Sequence, residues 1–331
     1  MLRLPAFRYA APTSLREALE RLRRPAAAPL AGGTDLVCKL KRRQRLPEAL
    51  VDLRRVEALR GIKPVARGLS LGASATVSEL AASELLAPWT ALVEAARLVA
   101  SPAIRNRATL GGNLCQDTRC CFNDQTEGWR RGLDACLKAG GEVCHAAPAS
   151  ERCRAVFSGD IATALIALRA RVRLASLTGE RVEALEDLYQ DDGAAGLRKD
   201  PGELVVEVVL EGPPPESRYL KLRRRDAFDF PALGAGVAVR RAPDSGRVAE
   251  ARIVLGGVAS CPMLAAEAGL SLLGRALDEA AIRRAAALAA QAARPLGNND
   301  FAPGYRKRMA GVFVARALRS LADPGSTEER S

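Results

Sequence analysis

TLGGNLC, Thr109–Cys115, opens the stretch on which the reading of this chain turns, and SGD, Ser158–Asp160, closes it. Six of the eight cysteines in the 331-residue chain lie between Thr109 and Asp160. Adjacent glycines permit positive φ and close backbone approach, so a Gly-Gly loop suits a phosphate. Clustered cysteines in a chain with no secretory signature suit a metal or a redox group. Here the two lie side by side in sequence. That points to an organic cofactor and a metal centre kept within electron-transfer reach.

A second glycine pair stands earlier, in PLAGGTDLVCKLKRR (29–43). A short apolar stretch runs into Gly32-Gly33, then Thr34 and Asp35, then a helical pattern. A helix start offers unpaired N–H groups to an anion, such as a pyrophosphate. No Gly-Lys-Ser/Thr follows, so this is not a Walker A loop, and the spacing is not G-x-G-x-x-G. Two such loops, about 80 residues apart, can grip one extended phosphate-bearing ligand from both sides.

The surrounding pattern mixes short strands and helices. Phe7-Arg8-Tyr9 alternates as a strand, and Ser14 with Glu17 predicts a capping box for a helix through Leu22. Strands are expected at 49–56, through Leu69 and Leu71, and at 204–210, with helices from Thr76 and over 89–99. Segment 116–154 is polar and cysteine-rich, with one helical candidate at 126–138. A helix-then-strand pattern resumes at Asp160, so 116–154 reads as a functional insertion into a continuous domain. A proline-rich break at 211–217 precedes strands at 217–222, 233–240 and 250–257 and helices at 262–273, 279–293 and 303–321.

Composition narrows the function. At 48% apolar the chain can bury sizeable cores, and its length suggests two or three domains. No apolar run is long enough to span a membrane, and the N-terminus lacks a signal-peptide core. The expectation is a soluble cytoplasmic protein with reduced thiols. The net charge of +12 is uneven: residues 1–70 hold 16 Lys/Arg against 6 Asp/Glu. KLKRRQR, Lys39–Arg45, reads first as a solvated helix face, and second as an attraction for an acidic partner such as a small electron carrier. With 4% aromatic residues and no recognition motif, nucleic-acid binding is not expected. A single histidine and no G-x-S-x-G argue against hydrolase machinery, and no catalytic residue is assigned.

Cys120, Cys136, Cys144 and Cys153 are separated by 15, 7 and 8 intervening residues. Long loops can bring four such thiolates around a 4Fe-4S cluster. Four-thiolate zinc sites use the same ligands, usually on C-x-x-C arms, which are absent here. Adjacent Cys120 and Cys121 would not both reach one cluster without strain, which leaves open which of the two is the ligand. Cys115 belongs to the second glycine loop, and Cys38 and Cys261 sit in apolar patterns as small buried hydrophobes.

LAGGTDL (30–36) and TLGGNLC (109–115) resemble the two flavin-binding loops of the FAD subunits of molybdenum hydroxylases, the xanthine dehydrogenase and carbon monoxide dehydrogenase family. The similarity extends through FRYAAPTSLREAL, LSLGASATVSEL, SGDIATALIAL, YLKLRRRDAFDFP, GGVASCPMLAAEA and YRKRMAGVFVARAL. Most such subunits run directly from the glycine loop to the S-x-D segment. The insertion, with CCFNDQ, DACLK, EVCHAAP and ERCRAV, resembles that of the 4-hydroxybenzoyl-CoA reductase flavoprotein subunits.

The resemblance implies an α+β chain. Its parts would be FAD-binding subdomains at 1–60 and 61–210 with the iron–sulfur loop 116–154 inserted, a C-terminal domain of a small antiparallel sheet with helices at 217–322, and a disordered tail at 323–331. It implies FAD held by Leu30, Ala31, Gly32, Gly33, Thr34, Asp35 and Leu36, by Ile104, and by Thr109, Gly111, Gly112 and Asn113. Asp160 would bind further along the nucleotide, and Lys221 would stand near the flavin ring. A 4Fe-4S cluster would sit on Cys120, Cys136, Cys144 and Cys153. Partners would be a molybdenum-cofactor large subunit and a 2Fe-2S small subunit, in a dimer of heterotrimers, with ferredoxin as electron donor. The implied reaction is dehydroxylation of 4-hydroxybenzoyl-CoA to benzoyl-CoA. The alternative is another family member acting on a different aromatic or heterocyclic substrate.

Overall fold

The computed structural model describes residues 3–323. Of the tail expected to be disordered, all but Asp323 lies outside the described residues. The first sheet is parallel, with β1 (Arg8–Ala10), β2 (Ala27–Leu30) and β3 (Ala49–Asp52) in the order β1-β3-β2. Parallel strands need a crossover, and the helix Leu15–Leu22 supplies it between β1 and β2, burying Ala18, Leu19 and Leu22. Half of the expected capping box forms. Ser14 Oγ accepts from the Glu17 N–H at 3.2 Å, while the Glu17 carboxylate turns to Arg21 at 2.8 Å instead. The chain leaves β2 at Leu30 and enters the first glycine loop. Ligands of open parallel sheets bind outside the carboxyl ends of strands, and the loop stands there.

The second sheet is antiparallel: β4 (Ile62–Val65), β5 (Gly68–Gly72), β6 (Arg171–Ser176), β7 (Gly179–Ala184) and β8 (Leu204–Glu211) lie in the order β4-β5-β8-β6-β7. Between β5 and β6 run the helices Val77–Ala82, Thr90–Leu98, Leu110–Leu114 and Asp160–Ala167, and the cysteine insertion. Thr76 and Glu79 form a full capping box at the start of the first of these. The helix Asp160–Ala167 is buried at every residue, which its sequence DIATALIA allows because it is apolar nearly all round.

The third sheet is antiparallel, β12-β11-β10-β9, from β9 (Glu216–Leu222), β10 (Leu233–Arg241), β11 (Val248–Gly256) and β12 (Met263–Leu264). Successive residues of a strand face opposite sides. Val237 and Val239 pack into the core made with the helices Glu279–Ala292 and Pro303–Ala322, whereas Ala238 joins the core around Asp160–Ala167. This sheet thus seals the back of the helix that carries Asp160. The helix expected at 262–273 is shorter, Ala266–Leu270, because Met263 and Leu264 pair with β11 as an edge strand. Among the described residues no helix is long and apolar enough to cross a membrane.

Candidate functional site

The two glycine loops meet on one cleft of about 730 Å3. Their contact depends on Gly32, where a Cβ would stand 1.9 Å from the Arg107 carbonyl oxygen. Gly33 turns the loop at φ +74°, in the left-handed region. The backbone N–H groups of Gly33, Thr34 and Asp35 have no acceptor among the described residues. The second loop is different. Gly111 N–H donates to the Ala73 carbonyl at 2.8 Å and Asn113 N–H to the Thr109 carbonyl at 2.9 Å, and Gly112 N–H donates to Thr109 Oγ1 at 3.1 Å. What the second loop offers the cleft is a side chain: Asn113 Oδ1 is buried and has no partner among the described residues. Free N–H donors on one wall and an orphaned acceptor on the other fit a dinucleotide such as FAD. One loop offers donors for its phosphates, the other an acceptor for a hydroxyl or N–H group.

Ala31, Thr34, Leu36, Ile104 and Asp160 also line the cleft, whereas Leu30 and Lys221 are off its wall. Asp160 is the first residue of its helix, with Gly159 as the cap. Its carboxylate accepts from the Tyr219 hydroxyl at 2.8 Å and from Lys221 Nζ at 3.1 Å. Lys221 Nζ also donates to the Leu98 carbonyl at 2.9 Å. The two charged side chains are 4% and 1% exposed. Burial pushes the Asp160 carboxyl above its usual range, while Lys221 and the Tyr219 hydroxyl pull it down. The lysine expected beside the flavin ring therefore acts on the cleft through Asp160.

The insertion has little regular structure, a helix at Glu127–Arg131 and a single 3-10 turn at Leu137–Ala139, yet it is tied down on all sides. At its neck Arg119 and Val156 exchange both backbone hydrogen bonds at 2.7 Å. Asp117 joins Lys39 at 3.0 Å and Lys138 at 2.7 Å. Burial opposes ionisation of this carboxyl, but Lys138 and Lys39 outweigh it and hold it down to about 2. Arg130 donates to the Arg42 and Arg43 carbonyls at 3.0 and 3.1 Å.

Cys120, Cys144 and Cys153 are buried, Cys136 is half-buried, and Cys121 is exposed. Cys120 and Cys153 pack with Ala155, Phe122, Leu137 and Ala146. Burial pushes the Cys153 thiol up, and the neighbouring Cys144 and Cys136 thiols push it further as like charges. Burial likewise pushes Cys120 up to about 12, with Cys121 and Cys153 adding to it. Cys153 and Cys120 thus share one buried apolar cluster. Asn298 Nδ2 donates to Cys120 Sγ at 3.7 Å, and the Ala155 N–H donates to Cys153 Sγ at 3.4 Å. Among the described residues no group of three or more His, Cys, Asp or Glu side chains is placed to hold a single metal ion. Cys120 and Cys153, each bonded by an N–H group within an apolar cluster, have surroundings of the kind that iron–sulfur thiolates use.

Three further residues differ from the sequence reading. Lys39, expected on a solvated basic face, is 2% exposed and points inward to Asp117 and Asp124. Cys38, expected to be buried, is exposed and lines the cleft, because inward rotation of Lys39 turns its neighbour out. Arg119 was not singled out. Its guanidinium enters the cleft, pairs with Asp35 and lies 3.8 Å from the centre of the Phe230 ring. The available signal was its place, between the glycine loop and the first cysteine.

The family model described as the FAD binding domain in molybdopterin dehydrogenase matches residues 5–211, and that of the CO dehydrogenase flavoprotein C-terminal domain matches 217–321. The chain is 32% identical over 318 residues to the carbon monoxide dehydrogenase medium chain of Afipia carboxidovorans, covering 95% of this chain and 96% of that one. It is 32% identical over 320 residues to the aldehyde oxidoreductase FAD-binding subunit PaoB of Escherichia coli, covering 92% and 96%. Among solved structures, reconstituted CO dehydrogenase from Oligotropha carboxidovorans superposes with a TM-score of 0.79 at 30% identity, over 97% of this chain and 99% of that one. With family models matched over 5–211 and 217–321, the chain belongs to the xanthine dehydrogenase and carbon monoxide dehydrogenase family, as an FAD-binding medium subunit of a molybdenum hydroxylase-type oxidoreductase.

Proposed function

We propose that this chain relays electrons within a molybdenum-containing oxidoreductase, between FAD in the cleft and a 4Fe-4S cluster on Cys120, Cys136, Cys144 and Cys153. The observation that supports the cluster is the burial of Cys120, Cys144 and Cys153, with Cys120 and Cys153 packed together in one apolar pocket. The pocket begins one residue beyond Arg119, which lines the cleft. Cys120 is the ligand of its pair, since it is buried beside Cys153 while Cys121 is exposed. FAD, when bound, exchanges electrons singly or in pairs, which suits a relay. Gly33, Thr34 and Asp35 N–H groups take its diphosphate, and Asn113 Oδ1 accepts from the nucleotide. Ile104 and Leu36 supply apolar wall, and Asp160 fixes the far end.

Bond-making lies on a molybdenum-cofactor large subunit, reached through the 2Fe-2S clusters of a small subunit. Relatives are named for carbon monoxide and for aldehydes, so the substrate is set by that large subunit, and an aromatic or heterocyclic substrate fits this reading. A second reading is favoured by the insertion: a 4-hydroxybenzoyl-CoA reductase fed by reduced ferredoxin. Half-buried Cys136 lines a second cavity with Arg43, Arg45 and Arg130. That gives electrons from an acidic carrier a cationic entrance to the cluster.

Cys136→Ser tests the relay. The variant is expected to lose the EPR signal of the reduced cluster while binding FAD as the wild type does. Loss of flavin with the cluster signal intact would sink the assignment of the insertion.

A further inference from the structure

We propose that Arg119 is the residue that binds the diphosphate of FAD from the insertion side, so that the cysteine module itself supplies one wall of the flavin site. The inference rests on FAD occupying the cleft and is independent of the cluster. Arg119 starts from a fixed base, because its backbone is bonded in both directions to Val156 at 2.7 Å. Its guanidinium reaches the first glycine loop and pairs with the Asp35 carboxylate. It lies over the Phe230 ring at 3.8 Å, and Nη1 stands 3.9 Å from Asp124 Oδ2. Its Nε–H is buried and has no acceptor among the described residues.

A buried, charged donor without an acceptor is costly, and a ligand oxygen would relieve it. The charge balance points the same way. The free N–H groups of Gly33, Thr34 and Asp35 invite an anion, but the Asp35 carboxylate beside them would repel one. Arg119 cancels that charge and adds a planar fork suited to phosphate oxygens. Lys39, a buried cation near this loop, is ion-paired with Asp117 at 3.0 Å and Asp124 at 3.8 Å, although its Nζ, like Arg119 Nε, makes no hydrogen bond among the described residues.

The test is FAD titration of the flavin-free full chain, followed by fluorescence, with inorganic pyrophosphate as competitor. Arg119→Met is expected to weaken FAD binding about tenfold to a hundredfold, as for loss of a charge-assisted hydrogen bond. Arg119→Lys, which keeps the charge and loses the fork, should recover part of that loss. Pyrophosphate should compete at least about tenfold less well on Arg119→Met than on the wild type. A packing role over Phe230 would not move that last quantity. FAD binding by Arg119→Met within about twofold of wild type, or undiminished competition by pyrophosphate, would overturn the proposal. Absence of iron from the wild type would count against the cluster alone and leave this result standing.

Discussion

Replacing Lys221 with methionine is expected to lower the unfolding free energy by about 3–5 kcal/mol at neutral pH, read from the urea midpoint. Methionine keeps much of the side-chain volume but removes the ammonium that stands 3.1 Å from Asp160 Oδ2. The carboxylate is then left with the Tyr219 hydroxyl as its partner, in a site where it is 4% exposed. Burial already raises this carboxyl above the ordinary aspartate value of 3.8, and without Lys221 it rises further. A carboxyl with a raised folded value binds its proton more tightly folded than unfolded. The deficit of the variant is therefore small near pH 3.8 and below, and grows as the pH climbs through the raised value. The double variant Lys221→Met with Asp160→Asn should recover part of the loss, because it removes the stranded charge. A deficit below about 1 kcal/mol, the range of exposed pairs, would show that the buried pair does not tie β9 to the Asp160–Ala167 helix.

Gly32→Ala is expected to weaken FAD binding at least about a hundredfold, roughly 2.7 kcal/mol. The added methyl group would stand 1.9 Å from the Arg107 carbonyl oxygen and 2.6 Å from its carbon. Both are backbone atoms, so no side chain can swing away; one of the two glycine loops must move. The free N–H groups of Gly33, Thr34 and Asp35 then lose their register with Asn113 on the opposite wall. Gly128→Ala is the matching control, since a Cβ there meets nothing within 4 Å. Equilibrium titration with FAD checks both. If Gly32→Ala holds FAD within about threefold of wild type, the abutting of the two loops is not what shapes the cleft.

Much of this architecture is legible in the residues. Alternation in Leu233–Arg241 and the apolar run of Asp160–Ala167 announce a strand between two cores and a helix buried on all sides. Local signals such as Thr76 with Glu79 fix helix starts without help from distant chain. What escapes the sequence is pairing over long range. Nothing local to TLGGNLC says that the Gly111 N–H is consumed by Ala73. The pattern therefore suggests two equivalent phosphate grips, where one loop donates and the other shapes. Lys39 looks like one more cation in KLKRRQR until the insertion returns Asp117 and Asp124 beside it. Lys221 reads as an exposed strand residue or a flavin neighbour, and only the packing of β9 on the Asp160 helix shows its partner. Which of Cys120 and Cys121 is buried is equally non-local, because Cys120 packs against the distant Cys153 while Cys121 is exposed.

Arg119, Lys39 and Asp117 line the cleft, so the insertion forms part of its wall rather than an appendage to it. The cysteine pocket shares its neck with the cleft, as an electron relay requires. The direct test is the cofactor content of the anaerobically purified and reconstituted chain, read with an EPR spectrum after dithionite reduction. One FAD and about four non-haem irons per chain, with the signal of a reduced 4Fe-4S cluster, is the predicted result. A protein that takes up FAD but no iron would contradict the relay.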